Sequence, residues 1–260
     1  MKSFHRVVLS LLVGAGPLSA LAQSPASAPT PYPDPNTESA WPGQGPIRFF
    51  PSWMPQLRAT FWTQRDADHG KIIFVGDSII GGWKLENDFA GKPVANRGIG
   101  GDVTRGLLFR LQEDVLDLNP RAIVIHIGGN DISADAEVDT IVGNYKLILQ
   151  LIQKSRPETQ VFVLAVLPRG LPMGDKAMTP ERAAYLQKAY ARIPQLNAQL
   201  QKLAAAHKNV TYVDSYAPFL LPDGRLDASL YNADEVHPTA AGRSKLGVVV
   251  NASLTKLNLL

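Results

Sequence analysis

The chain contains no cysteine, and that one absence removes several chemistries together. No thiol nucleophile, thiolate metal site or disulfide is available, so packing alone must hold the fold. Charge of either sign is also short of an excess. The 26 basic and 23 acidic residues give a net +3, which argues against nucleic acid or an anionic membrane surface as a partner. No His-Glu-x-x-His pair, Gly-x-x-x-x-Gly-Lys-Ser/Thr loop or Gly-x-Ser-x-Gly elbow occurs, and the glycines of 98–101 miss dinucleotide spacing. No metal and no cofactor is therefore expected.

What is present suits one large domain: 260 residues, 45% of them hydrophobic, are enough for a sizeable core. The first residues stand apart. Lys2 and Arg6 precede an apolar run from Val7 to Leu21, and Ala20-Leu21-Ala22 has the small-x-small form of a signal-peptidase site. Residues 1–22 read as a signal peptide, so the mature chain is expected to start near Gln23, periplasmic or secreted. The run is short and interrupted by Gly14, Gly16 and Pro17, so no stable membrane insertion is expected after cleavage. Loss of Lys2 and Arg6 lowers the net charge to +1.

Residues 23–46 hold seven prolines among Ser, Ala, Thr and Gly and read as an extended linker into a single domain over 47–260. Phe49, Phe50, Trp53, Phe61 and Trp62 follow. They suit a helix laid against the main body; an aromatic platform for a sugar or acyl chain is the alternative.

Unbroken β-branched runs then recur at 72–75, 122–127, 161–166 and 210–213, with a weaker one at 94–96. Unbroken runs mean strands covered on both faces. Helical patterns fill the gaps at about 102–116, 139–155, 180–206 and 239–257. Asp102 or Thr104 is a candidate cap for the first, Thr179 starts the third, and Pro194 should split it. The sum is a three-layer α/β/α domain around a parallel sheet of about five strands.

Sites in open parallel sheets form beyond the carboxyl ends of the strands, and the polar candidates fall there. Ser78 follows the run 72–75 in Gly76-Asp77-Ser78, Gly98 closes Asn96-Arg97-Gly98, and Asn130 sits in Gly128-Gly129-Asn130-Asp131. Asp234 and His237 share the loop before the last helix. A serine hydroxyl needs a base, the base needs a carboxylate to fix its tautomer, and the developing oxyanion needs donors. Those roles fall to Ser78, His237 and Asp234, with the Ser78 N–H, the Gly98 N–H and the Asn130 amide as oxyanion donors. A turn-capping role for Asn130, or for Asp131, is the alternative. Asp77 should hold the turn. His126 reads as a satisfied core histidine.

These four blocks resemble the SGNH, or GDSL-type, hydrolases, and Asn96-Arg97-Gly98-Ile99-Gly100-Gly101-Asp102 is similar to the platelet-activating-factor acetylhydrolase-like branch. The resemblance implies a flavodoxin-like fold, a Ser78–His237–Asp234 triad and an oxyanion hole from Ser78, Gly98 and Asn130, with Asp77 and Asp131 in support. Ile80 and Gly129 stand where threonine is common in the family, and both are expected to line the site. The expected activity is hydrolysis of a carboxylic ester, short-chain acyl or O-acetyl, through an acyl-Ser78 intermediate, on a small-molecule or glycan ester. Other readings are a lysophospholipase-type esterase, a non-catalytic carbohydrate-binding domain and an O-acyltransferase.

Overall fold

The computed structural model describes residues 27–171 and 178–260; the expected signal peptide lies outside the described residues. Five parallel strands, β1 (Ile72–Gly76), β2 (Val94–Gly98), β3 (Ala122–His126), β4 (Gln160–Leu164) and β5 (Val210–Val213), pair in the order β2-β1-β3-β4-β5. Gly76 is in register with both Gly98 and His126. The first three strands thus end level, and their loops rise from one rim.

The helices are α1 (Met54–Thr63), α2 (Arg65–Asp68), α3 (Ser78–Gly81), α4 (Leu85–Asp88), α5 (Thr104–Asp114), α6 (Gly129–Ser133), α7 (Val138–Ser155), α8 (Pro180–Tyr190), α9 (Ile193–Ala205) and α10 (Ala240–Thr255). Successive strand residues point to opposite faces, so each apolar run feeds two cores. Ile73, Val75, Ile123 and Ile125 pack against α5, α7 and α9. Ile72, Phe74, Val124 and Phe162 pack with the residues of α3, α4 and α10. The buried positions of α7 (Val138, Ile141, Val142, Tyr145, Ile148, Leu149, Ile152) recur at helical spacing and form one stripe. Pro194 falls at the start of α9, just past the break after α8, where its missing N–H costs nothing.

Two expectations change. Neither Asp102 nor Thr104 caps α5; its N-cap is Val103, without a side-chain bond. The Thr104 N–H is satisfied from another loop, as described below. The proline-rich stretch, read as a linker, holds a short 3-10 helix (Glu38–Ala40) among turns and is fastened to the domain. Arg105 donates to the carbonyls of Glu38, Trp41, Pro42 and Gly45, and Asn144 exchanges two hydrogen bonds with Gln44. Trp41 is 4% exposed and stacks on Tyr32. Proline composition argues against a core of its own, and it has none; two aromatics and a row of carbonyls suffice to bind it to α5 and α7.

Candidate active site

The strand order reverses between β1 and β3, and a crevice at such a switch point takes the residues of both following loops. At the end of β1, Asp77 caps α3 by accepting the Ile79 N–H at 2.9 Å. This turn puts Ser78 at the first helical position, half-buried, with its own N–H unpaired among the described residues. The expected turn-holding by Asp77 is what the geometry gives.

His237 arrives from 159 residues away. Its Nε2 lies 2.8 Å from Ser78 Oγ, and its Nδ1 lies 2.7 Å from Asp234 Oδ2. Asp234 Oδ1 accepts the backbone N–H groups of Val236 and His237 at 3.0 and 2.9 Å. Burial works to raise the Asp234 carboxyl, but the backbone N–H and ring of His237 and the Val236 N–H outweigh it and hold the group below its ordinary range. With an ionised carboxylate at Nδ1, the proton sits on Nδ1 and the Nε2 lone pair faces the serine hydroxyl. The loop is braced at both ends: Asn232 N–H bonds His237 O, and Thr239 caps α10.

Just beyond β3, Asn130 is 9% exposed and donates one amide hydrogen to Asp102 O at 2.9 Å. The second amide hydrogen has no partner among the described residues. Asp131 does not cap α6, whose N-cap is Gly128. Its carboxylate instead accepts the Thr104 N–H with both oxygens at 3.1 Å, together with the Thr104 hydroxyl. Burial raises the Asp131 carboxyl to about 7 against these bonds, and raises Asp102 to about 6 against the pull of Arg110.

Gly98 requires a correction. Its N–H is already spent on Asn96 Oδ1 at 2.8 Å, and a Cβ there would strike the backbone of Gly81. Gly98 lets α3 approach β2; it presents no free donor. The site is flanked instead by the turn Ile99–Asp102, closed by Asp102 N–H to Ile99 O at 3.1 Å. A Cβ built on Gly100 would lie 3.9 Å from Ser78 Cβ, and the N–H groups of Gly100 and Gly101 have no partner among the described residues. Ile80 is corrected too: it is fully buried in the second core and does not line the site.

His126 is buried, but only half satisfied. Its Nε2 accepts the Leu167 N–H at 3.4 Å, while Nδ1 stands 3.6 Å from Asp77 and unpaired. The ring is thus turned to Asp77 and Leu167 and is not a rival base. Burial pushes the Asp77 carboxyl up, yet His126 and Arg169 hold it below its usual value. Arg169 was not singled out from the sequence. Its guanidinium fills the space a Gly129 side chain would take and donates to Ser133 Oγ at 2.9 Å. Its position just beyond the end of β4 is the signal that was available. Among the described residues no cluster of three His, Cys, Asp or Glu suits a metal, and no helix is long and apolar enough to cross a membrane.

Residues 74–245 match the family model described as GDSL-like Lipase/Acylhydrolase. The chain is 30% identical over 201 residues to the platelet-activating factor acetylhydrolase IB subunit alpha2 of Homo sapiens, covering 75% of this chain and 80% of that one. Among solved structures, a GDSL-like lipase from Bacteroides thetaiotaomicron is similar at 26% identity with a TM-score of 0.64, covering 76% of this chain and 97% of that one. The lipase/acylhydrolase from Enterococcus faecalis shares the fold at 24% identity with a TM-score of 0.56, over 72% of this chain and 96% of that one. A five-stranded parallel sheet with helices on both faces and this match over most of its length make the chain a member of the GDSL-like lipase/acylhydrolase family, an ester-hydrolysing enzyme.

Proposed function

We propose that the protein is an exported serine esterase that removes short acyl groups, acetyl foremost, from small-molecule or glycan esters. The observation that carries this reading is the unbroken relay from Ser78 Oγ to His237 Nε2 at 2.8 Å and from Nδ1 to Asp234 at 2.7 Å. As Ser78 Oγ bonds to the ester carbonyl carbon, its proton passes to His237 Nε2 and the carbonyl oxygen becomes an oxyanion. Donors for that oxygen are the Ser78 N–H, the free amide hydrogen of Asn130 and, in place of Gly98, a glycine N–H of the Ile99–Asp102 turn. Collapse breaks the bond to the alcohol oxygen, which takes the proton from His237. Water, deprotonated by the same ring, then releases the acid and restores Ser78.

The acetyl preference is supported by relatives named for the hydrolysis of an acetyl ester. A bulky alcohol portion suits the open approach: the side chains of His237 and Asp234 are 36% and 47% exposed. Export rests on the sequence of residues 1–22. The test is a series of p-nitrophenyl esters of increasing acyl length beside acetylated oligosaccharides and a lysophospholipid, with wild type and Ser78→Ala in parallel. Acetyl should be turned over fastest and Ser78→Ala should be inert while folded. Faster turnover of long acyl chains or of the lysophospholipid would replace the acetyl reading with a lipid esterase. Equal turnover by Ser78→Ala would dismiss the nucleophile.

A further inference from the structure

One large aromatic residue sits at the surface beside the reacting serine. Trp53 is 38% exposed, and its indole N–H donates to Gly100 O at 2.9 Å. Gly100 lies between the two: a Cβ built on it would be 3.9 Å from Trp53 Nε1 and 3.9 Å from Ser78 Cβ.

The turn Ile99–Asp102 explains why this bond matters. Gly101 has φ of +83° in the third position, the signature of a type II turn. The central peptide of such a turn, here Gly100 C=O and Gly101 N–H, takes no part in the turn's own hydrogen bond. With glycine at both central positions, type I and type II are both sterically open, and they differ by a flip of that peptide. Local sequence therefore leaves its direction undecided. Two contacts from the N-terminal segment decide it. Trp53 holds the carbonyl, and the Phe50 ring fills the space beside Gly101 that a side chain would need. Phe50 and Trp53 stack with centroids 4.3 Å apart at 15°, so the clamp is rigid.

We propose that Trp53 is a positioning residue for ester hydrolysis: by holding Gly100 O it turns the Gly101 N–H towards the oxyanion formed at Ser78. The inference rests on the acyl-Ser78 reading above. A trans peptide points its N–H opposite its C=O, so a carbonyl fixed on the indole directs the N–H away from it, to the serine side. A hydrogen bond on the carbonyl also polarises the N–H of the same peptide and strengthens it as a donor. Trp53 lies outside the 74–245 family match, so the working site extends into the segment that precedes it.

The test is steady-state kinetics on p-nitrophenyl acetate with Trp53→Phe, which keeps a ring and removes the N–H. We expect kcat to fall about tenfold, less than loss of a direct donor would give, with KM within about twofold. Replacing Trp53 with 3-benzothienylalanine, which exchanges only the N–H for sulfur, should give the same loss; it decides the matter if the Phe variant melts early. An unchanged kcat, or a rise in KM alone, overturns the clamp, the latter by making Trp53 a substrate-stacking surface. Ser78→Ala run alongside separates the two levels. If it is inert while Trp53→Phe is normal, only the clamp fails; if it stays active, the esterase reading fails and the clamp with it.

Discussion

Asp131 receives both the backbone N–H and the hydroxyl of Thr104, 27 positions upstream, and so caps a helix other than its own. One residue earlier, Asn130 donates to Asp102 O. Neighbouring side chains thus staple the segment just beyond β3 to the loop after β2, the loop that carries the glycine turn.

Asn130→Ala removes one oxyanion donor and leaves the Asp131 staple intact. Steady-state kinetics should show kcat lower by about a hundredfold or more with KM little changed. The melting temperature should move by only the few degrees that one lost hydrogen bond costs. A loss of a few fold would make Asn130 a structural residue of the Asp102 loop.

Asp234→Asn keeps the acceptor for the Val236 and His237 N–H groups but turns an amide NH₂ towards Nδ1. The ring then carries its proton on Nε2 and cannot accept from Ser78, so kcat should fall by at least about a hundredfold. The pH profile of the wild type follows from the same pair. Asp234 is held below the ordinary carboxylate range, so it stays ionised well into the acidic range. Activity should fall on acidification with a slope of one in a logarithmic plot. A slope of two would mean that the Asp234 carboxylate also takes up a proton in this range.

Arg110 is wholly buried and joins Asp102, Asp114, Gly76 O and Arg97 O behind the glycine turn. Arg110→Met leaves the buried Asp102 carboxylate without its guanidinium, while Asp114 keeps Arg58, and urea unfolding should show a loss of about 3–5 kcal/mol. Asp102 adds a pH signature. Its folded pKa, about 6, lies above the unfolded value, so its ionisation costs stability increasingly as pH rises from about 4 to about 6 and steadily above that. Without the guanidinium that cost grows, and the variant should recover stability on acidification more steeply than wild type. Parallel stability curves from pH 7 to 5 would contradict this.

Arg105 ties four carbonyls of the 38–45 segment. In Arg105→Ala the segment loses that tether and should open locally. Trypsin should then cut after Arg48 at least about tenfold faster than in wild type, while the sheet remains protected. Equal cleavage rates would show that Trp41, Tyr32 and the Asn144 pair suffice alone.

The sheet and the relay were legible because their signals are local. Buried parallel strands read as unbroken apolar runs, Pro194 marks a break by itself, and an Asp three residues before a His on one loop is a pre-set pair. Gly98 was misassigned because sequence shows a run of glycines without showing where the strand stops. β2 pairs with β1 as far as Gly98, which puts that residue under α3, and the neighbouring Asn96 side chain takes its N–H. The fastening of residues 27–46 was hidden for another reason. Its determinants, Arg105 and Asn144, lie 60 to 100 positions downstream and look like ordinary polar helix residues until the helices pack.

Ser78 leaves the first strand, and His237 leaves the last loop before the C-terminal helix. The hydroxyl therefore has no base until the loop before that helix is in place. Turnover thus reports the docked C-terminal helix: a refolding experiment read by ester cleavage times the arrival of the His237 loop at Ser78.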